Sequence, residues 1–176
     1  MRHDVLSSIG NTPLIRLNRL PDDNSAEIWV KWEGANPTGS MKDRMALSMI
    51  EGAERRGELK PGGRVVEYTG GSTGSSLAMV CSAKGFRAHM VSSDAFSEEK
   101  LRAMRAYGAT VEIIPSKDRK ITKELIQAMI DRAGELATEP NTFWTDQFNN
   151  LDGRSAYHRK AEEILRDIGD EVDAFV

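Results

Sequence analysis

The chain has 176 residues, of which 24 are Lys or Arg and 27 are Asp or Glu, so its formal net charge is -3. Hydrophobic residues make up 39% and charged residues 29%, as in a soluble globular protein. The balanced charge argues against a nucleic-acid-binding protein. No apolar run approaches the roughly 20 residues that a membrane span requires, which argues against a membrane protein.

Cysteine and histidine usage narrows the chemistry further. Cys81 is the single cysteine, so an internal disulfide framework is excluded and a reducing compartment is favoured. It lies in the apolar run LAMVCSA, where we expect a small buried residue rather than a nucleophile. The N-terminus lacks the apolar core of a secretory signal, and we therefore predict a cytoplasmic protein. The histidines are scattered without metal-ligand spacing, so no metal site is predicted.

Strands and helices are predicted to alternate along the chain, on the evidence of hydrophobic periodicity and Gly-containing turns. The predicted elements, in chain order, are a strand at 26–32, a helix at 45–57, a strand at 64–68, a helix at 75–85, a strand at 86–93, a helix at 97–108, a strand at 109–115, a helix at 121–137, a mixed segment at 142–150, a helix at 154–169 and a strand at 172–176. This alternation predicts an α/β protein, a three-layer α/β/α arrangement around a mostly parallel sheet.

Two Gly-rich segments precede helices, where backbone N–H groups and the positive end of the helix dipole can hold an anion. The segment GANPTGSMK has the glycine spacing of a P-loop, but Lys42 stands two positions too late, which disfavours a nucleotide triphosphatase. The turn TGGSTG follows a strand, and Asp94 comes about 20 residues later, as in the dinucleotide fingerprint. Because Thr69 replaces the first glycine, an NAD-binding module remains only an alternative.

Lys42 is the candidate reactive residue, since it stands at a helix start directly after the turn NPTGSM. The helix dipole is positive there, which disfavours an ammonium and favours the neutral amine that Schiff-base chemistry requires. The alternative is an ordinary exposed lysine, with Asp43 balancing the dipole. This window by itself leaves both interpretations open.

Four segments, in this order, carry a resemblance to a known family. They are SSIGNTPLIRL at 7–17, NPTGSMKDR at 36–44, EYTGGSTGSSLA at 67–78 and DQFNN at 146–150. Together they resemble the fold-type II pyridoxal-phosphate enzymes, and among these the cysteine synthase and cystathionine β-synthase group. The resemblance covers essentially the whole chain. It implies pyridoxal 5'-phosphate as cofactor, a small amino-acid substrate and a homodimer.

The activity implied by the resemblance is β-replacement on an activated serine such as O-acetylserine. Sulfide or a related nucleophile would then give cysteine or a related amino acid. β-Elimination and diaminopropionate- or cystathionine-type synthesis are alternatives within the same class. A non-catalytic NAD-binding or regulatory α/β module is the alternative from a different class.

The same resemblance assigns roles to individual residues. Lys42 would form the Schiff base with pyridoxal phosphate and then remove the proton from the substrate Cα. A substrate-binding turn would hold the substrate carboxylate, with Gln147 beside it. The turn consists of Thr69, Gly70, Gly71, Ser72 and Thr73.

Two positions of this turn depart from the family's usual pattern. Ser72 stands where the family usually has an Asn that bonds the cofactor's ring oxygen; a hydroxyl can donate and accept but is shorter than an amide. Gly70 stands where Ser or a similar polar residue is usual, so one hydroxyl donor is lost. Both departures bear on the substrate more than on the cofactor.

The resemblance also implies a division of the chain into three parts. Residues 1–41 would be an N-terminal segment associating with a large domain, residues 42–150 a small α/β domain with the lysine and the substrate turn, and residues 151–176 the start of the large cofactor domain. In the family, a phosphate-gripping loop follows a strand similar to VDAFV, and a Ser or Thr near the C-terminus faces the pyridine nitrogen. The chain stops before both. We therefore expect the N-terminal part of a longer enzyme, with weak cofactor binding and little or no turnover by itself.

Overall fold

The computed structural model describes residues 4–19, 21–22, 24–169 and 172–176. The strands are β1 (Leu14–Arg16), β2 (Trp29–Lys31), β3 (Arg64–Tyr68), β4 (Arg87–Ser93), β5 (Thr110–Ile114) and β6 (Thr142–Trp144). The α-helices are α1 (Lys42–Arg56), α2 (Ser72–Lys84), α3 (Glu98–Ala106), α4 (Lys123–Ala137) and α5 (Leu151–Ile168). Short 3-10 helices are formed by Leu6–Ser8 and Glu33–Ala35. Within these ranges, no helix is long and apolar enough to cross a membrane.

A four-stranded sheet with the order β5-β4-β3-β6 forms the centre of the fold. All three of its strand pairs are parallel, and Val65 on β3 pairs with Ala88 on β4 and with Phe143 on β6. β1 and β2 form a separate antiparallel pair. The predicted parallel sheet is therefore confirmed.

Helices cover both faces of this sheet. Side chains alternate along a strand, so Val65 enters the core shared with α1, α2 and α3, whereas Val66 enters the core shared with α4. Met90 and Val91 on β4 divide between the same two cores. The three-layer α/β/α arrangement predicted from the sequence is confirmed.

Helix α1 runs from the candidate reactive lysine into the core. Its apolar face buries Met45, Met49 and Ile50, which are shielded further by α2 and α5. The helix ends at Gly57, whose φ of 73° lies in the left-handed region that favours glycine at a helix C-cap.

Several features differ from the sequence prediction. The strand predicted at 172–176 is wrong: these residues are exposed coil, and no strand of the described residues lies beside them to pair with their backbone. The strand β1 was not predicted. It has three residues, and its pairing with β2 joins positions distant in sequence.

Candidate functional site

A cavity of about 410 Å³ opens near the carboxyl end of β3, within the size range of small-molecule sites. Parallel α/β sheets bind ligands at this edge because the connecting loops and helix N-termini converge there. All of the site residues predicted from the sequence line this one cavity. They are Lys42, Thr69, Gly70, Gly71, Ser72, Thr73 and Gln147.

Lys42 is the first residue of α1 and is half-buried in the wall of the cavity. Its backbone N–H donates to Ser40 Oγ at 3.1 Å. Its Nζ lies 6.0 Å from the centroid of the Tyr157 ring on α5, within cation–π range. No carboxylate of the described part of the chain forms an ion pair with this amine. The amine is therefore available to a ligand in the cavity.

Asp43 fixes the first turn of α1 against α2. The carboxylate is fully buried and accepts hydrogen bonds from the Thr38 N–H at 2.8 Å and from the Ser76 hydroxyl at 2.6 Å. The Thr38 hydroxyl donates to the same group. These bonds tie the turn before Lys42, the lysine helix and α2 together. They set the position of the amine relative to the substrate-binding turn.

The turn predicted to bind the substrate presents free backbone donors to the cavity. The Thr69 hydroxyl is buried and accepts the Gly71 N–H at 3.1 Å and the Gly74 N–H at 3.2 Å, which holds the turn in shape. The N–H groups of Ser72 and Thr73, in the first turn of α2, meet no acceptor among the described residues. Such a helix start, with its dipole, can hold a carboxylate or phosphate.

The Phe96 ring packs next to Gly70. A Cβ at Gly70 would come within 2.6 Å of Phe96 Cε1, closer than real side-chain contacts. The aromatic ring therefore occupies the space in which a serine side chain would lie. A serine at this position would therefore require the Phe96 ring to move.

Gln147 joins the turn from the loop after β6. Its Oε1 accepts a hydrogen bond from the Thr73 hydroxyl at 2.7 Å, and its Nε2 donates to the Tyr68 carbonyl at 3.2 Å. The side chain is therefore held at both ends. The second hydrogen on Nε2 is left for a ligand.

Glu67, the fourth residue of β3, was not singled out from the sequence. Its carboxylate is fully buried and accepts hydrogen bonds from the Tyr68 N–H and the Gln147 N–H, each at 3.0 Å, and from the Thr145 hydroxyl. Burial raises the pKa of Glu67 to about 7, against these hydrogen bonds, which lower it. A charged residue inside the apolar run RVVEY was the available signal.

The raised pKa makes stability depend on pH. A carboxyl with a folded-state pKa near 7 and an ordinary value of 4.5 contributes stability that is fully present below pH 4.5 and is lost as pH rises through 7. Glu67→Gln should remove this loss, which amounts to roughly 3 kcal/mol between pH 5 and 8. Urea unfolding of both proteins at the two pH values measures the difference. Equal pH dependence in the two proteins would contradict the shifted pKa.

Apolar and aromatic side chains form the remaining wall of the cavity. They are Tyr68, Phe96, Ile126, Met129 and Phe148. The rings of Tyr68 and Phe148 lie 6.2 Å apart, tilted by 38°. Sequence reasoning missed these residues because an apolar side chain carries no chemical signal of its own, whether it lies on a strand or helix or, like Phe96 and Phe148, in a loop. The wall is open to solvent at Phe148, which is 67% exposed.

A buried ion network lies behind the lysine. The Arg44 guanidinium donates to Glu33 Oε2 from Nε at 2.8 Å and to Glu163 on α5 from Nη1 at 2.8 Å and Nη2 at 2.7 Å. Lys31 Nζ also reaches Glu163 Oε2, at 2.8 Å. Burial raises the pKa of Glu163, but the hydrogen bonds from Arg44, Lys31 and the Asn11 N–H outweigh it and hold the pKa at about 2.

Cys81 does not line the cavity. The side chain is fully buried in α2, and burial raises the pKa of its thiol to about 12. A thiol of this kind is not ionised near neutral pH and is a poor nucleophile. The prediction that Cys81 is a small buried residue is confirmed.

Comparison with protein families gives a match along nearly the whole chain. The family described as "Pyridoxal-phosphate dependent enzyme" matches residues 5–176. Among curated proteins, cysteine synthase B of Escherichia coli strain K12 is 44% identical over 171 residues, which cover 96% of this chain and 54% of that protein. The chain thus spans about half the length of the curated relatives it matches.

Solved structures with a similar fold include two enzymes that are each 38% identical to this chain. O-ureido-L-serine synthase superposes with a TM-score of 0.85 at 38% identity, covering 95% of this chain and 51% of that chain. A hydrogen sulfide-producing enzyme from Fusobacterium nucleatum superposes with a TM-score of 0.88 at 38% identity, covering 98% of this chain and 55% of that chain.

Proposed function

The chain belongs to the pyridoxal-phosphate-dependent enzyme family, and on that premise we propose that its cavity serves β-replacement on an activated serine. The amino-acid substrate is O-acetylserine-like, and sulfide or a related nucleophile replaces its β-substituent to give cysteine or a related amino acid. The observation that carries the proposal is the unpaired Lys42 amine, which lines the same cavity as the free N–H groups at the start of α2 in the part of the chain that the structure describes.

The residues of the cavity fit pyridoxal phosphate. A neutral lysine amine can carry the cofactor aldehyde covalently, and the amine of Lys42 meets no competing carboxylate in the described residues. The Ser72 hydroxyl lies at the cavity surface, where it can bond the cofactor ring. When bound, the cofactor supplies an electron sink for the negative charge that develops at the substrate Cα.

The chain's own groups then divide the remaining work. The N–H groups of Ser72 and Thr73 bind the substrate carboxylate, and the Gln147 amide, which is hydrogen-bonded to the Thr73 hydroxyl, orients it from beside them. Lys42 Nζ accepts the proton from the substrate Cα, because it is the base that the first turn of α1 holds at the cavity.

The alternatives make different use of these groups. A dinucleotide-binding or regulatory module has no need of an unpaired amine facing the turn, and the amine of Lys42 therefore argues against it. β-Elimination uses the same amine and the same turn, and it differs only in the fate of the β-carbon. The product decides between the two reactions.

Product analysis tests the proposed reaction. The whole protein, loaded with pyridoxal phosphate and supplied with O-acetylserine and sulfide, is expected to form cysteine with release of acetate. Pyruvate formed without a need for sulfide would assign β-elimination instead. If no amino acid is converted, and NAD but not pyridoxal phosphate protects the protein against thermal unfolding, the proposal is wrong.

Thr73→Val tests the carboxylate site. The change removes the hydroxyl that donates to Gln147 Oε1 at 2.7 Å while keeping the side-chain shape. We expect KM for the amino-acid substrate to rise roughly tenfold, the usual effect of losing a hydrogen bond to an ordered polar group. Thr110→Val, at an exposed position on β5, is the matched control. Equal KM values for the two variants would show that Thr73 takes no part in binding the substrate carboxylate.

A further inference from the structure

Glu67 has an environment that packing alone does not explain. The carboxylate is fully buried between the sheet and α2, yet none of its hydrogen-bond partners among the described residues is a cation. Burying a carboxylate without a counter-ion costs free energy that an apolar side chain of similar size would not cost. The position therefore calls for a role other than stabilising the fold.

The partners of this carboxylate are the groups that shape the cavity. Oε1 accepts the N–H of Tyr68, the residue that leads into the substrate-binding turn, at 3.0 Å. Oε2 accepts the Thr145 hydroxyl and the Gln147 N–H, both on the segment after β6. One side chain thus joins the two segments that meet at the carboxylate end of the cavity.

These hydrogen bonds determine where the Gln147 side chain lies. Glu67 fixes the backbone of Gln147, and from that position the Gln147 amide reaches Thr73 at 2.7 Å and the Tyr68 carbonyl at 3.2 Å. The Glu67 carboxylate has three donors: the Tyr68 N–H, the Gln147 N–H and the Thr145 hydroxyl. A carboxylate accepts from all three at once. The neutral amide that Glu67→Gln introduces has the same shape but presents a donor to one of them, and that hydrogen bond is lost.

We propose that Glu67 is a positioning residue for amino-acid binding, holding the 145–147 segment so that Gln147 meets Thr73 at the substrate carboxylate. The inference rests on the proposed function of the cavity. Glu67 does not touch the substrate; it acts through Gln147.

The first test is structural and needs no cofactor. The Gln147 side-chain amide signals of the labelled chain are compared by NMR in the wild type, Glu67→Gln and the matched control Glu112→Gln on β5. In Glu67→Gln we expect these signals to move to the positions of a free glutamine, while the dispersed spectrum of the fold remains. In Glu112→Gln they should stay in place. Unmoved Gln147 signals in Glu67→Gln would overturn the proposal.

The second test is functional. In the holoenzyme, Glu67→Gln should raise KM for the amino-acid substrate roughly tenfold, with kcat within about twofold of the wild type. A merely structural role would lower the amount of folded protein without this split. If the wild type converts amino acids and Glu67→Gln has the same KM, the positioning role of Glu67 is contradicted while the proposed function stands. If the wild type converts no amino acid, the proposed function fails, and the substrate role of Glu67 fails with it.

Thr145→Val keeps the test decisive if Glu67→Gln does not fold. It removes one donor to Oε2 and leaves the glutamate in place. We expect a smaller displacement of the same Gln147 signals and a KM raised severalfold. If both the signals and KM match those of the wild type, Glu67 has no positioning role.

Discussion

Lys42→Ala is expected to abolish covalent capture of pyridoxal phosphate and to lower turnover of the holoenzyme by a factor of about 10³ or more, since it removes the proposed carrier and the proposed base together. The visible absorption of the bound cofactor and the rate of cysteine formation measure the two losses. The matched control is Lys160→Ala. Lys160 Nζ lies 5.5 Å from the same Tyr157 ring and lines a different cavity.

We expect Lys42→Ala to lose cofactor capture and turnover without losing its folded structure. Lys42 is half-buried, and its side chain forms no ion pair among the residues that the structure describes, so the thermal stability of Lys42→Ala should match that of the wild type. A variant that keeps turnover would contradict the role of Lys42. Equal losses in Lys160→Ala would show that the effect is not specific to one amine.

Arg44→Met is expected to be the most destabilising of the proposed changes. The guanidinium side chain is 4% exposed and neutralises both Glu33 and Glu163. Its removal leaves the buried Glu163 with Lys31 as its remaining cation and the part-buried Glu33 with no cation among the described residues, a change that typically costs about 3–5 kcal/mol. Urea unfolding measures the loss in the free energy of unfolding. The same substitution at Arg56, an exposed arginine that pairs with Glu58 and Asp152, should cost under about 1 kcal/mol.

The network also connects distant parts of the chain to the site. Glu33 precedes the turn that leads to Lys42, and Glu163 lies on α5, which packs against α1. In Arg44→Met we therefore expect loss of order near Lys42 as well as lower stability. Similar losses at Arg44 and Arg56 would show that burial of the network contributes little.

Local signals in the sequence identified most of the framework. The run RVVEY predicted β3 with its observed ends, and Gly57 and Gly85 end α1 and α2 in the left-handed conformation that favours glycine. These features depend on neighbouring residues only. The resemblance in four segments assigned Lys42 and the substrate-binding turn to one site, although they are separated by more than a helix and a strand in the chain.

What the sequence did not indicate depends on contacts between distant residues. Glu67 and Gln147 are 80 positions apart, and their hydrogen bond arises from the pairing of β3 with β6. The contact between Phe96 and Gly70 likewise needs the β4–α3 loop to fold over the turn. The wrong strand at 172–176 has the same cause, because an apolar β-branched run forms a strand only where a neighbour completes its ladder.

Trapping the cofactor on its lysine tests the role of Lys42 most directly. The chain is mixed with pyridoxal phosphate, reduced with borohydride, digested and mapped by mass spectrometry. We predict a single stable adduct on the peptide that contains Lys42, absent from Lys42→Ala. Adducts spread over several lysines, or an adduct that persists in Lys42→Ala, would contradict the assignment of Lys42 as the carrier of the cofactor.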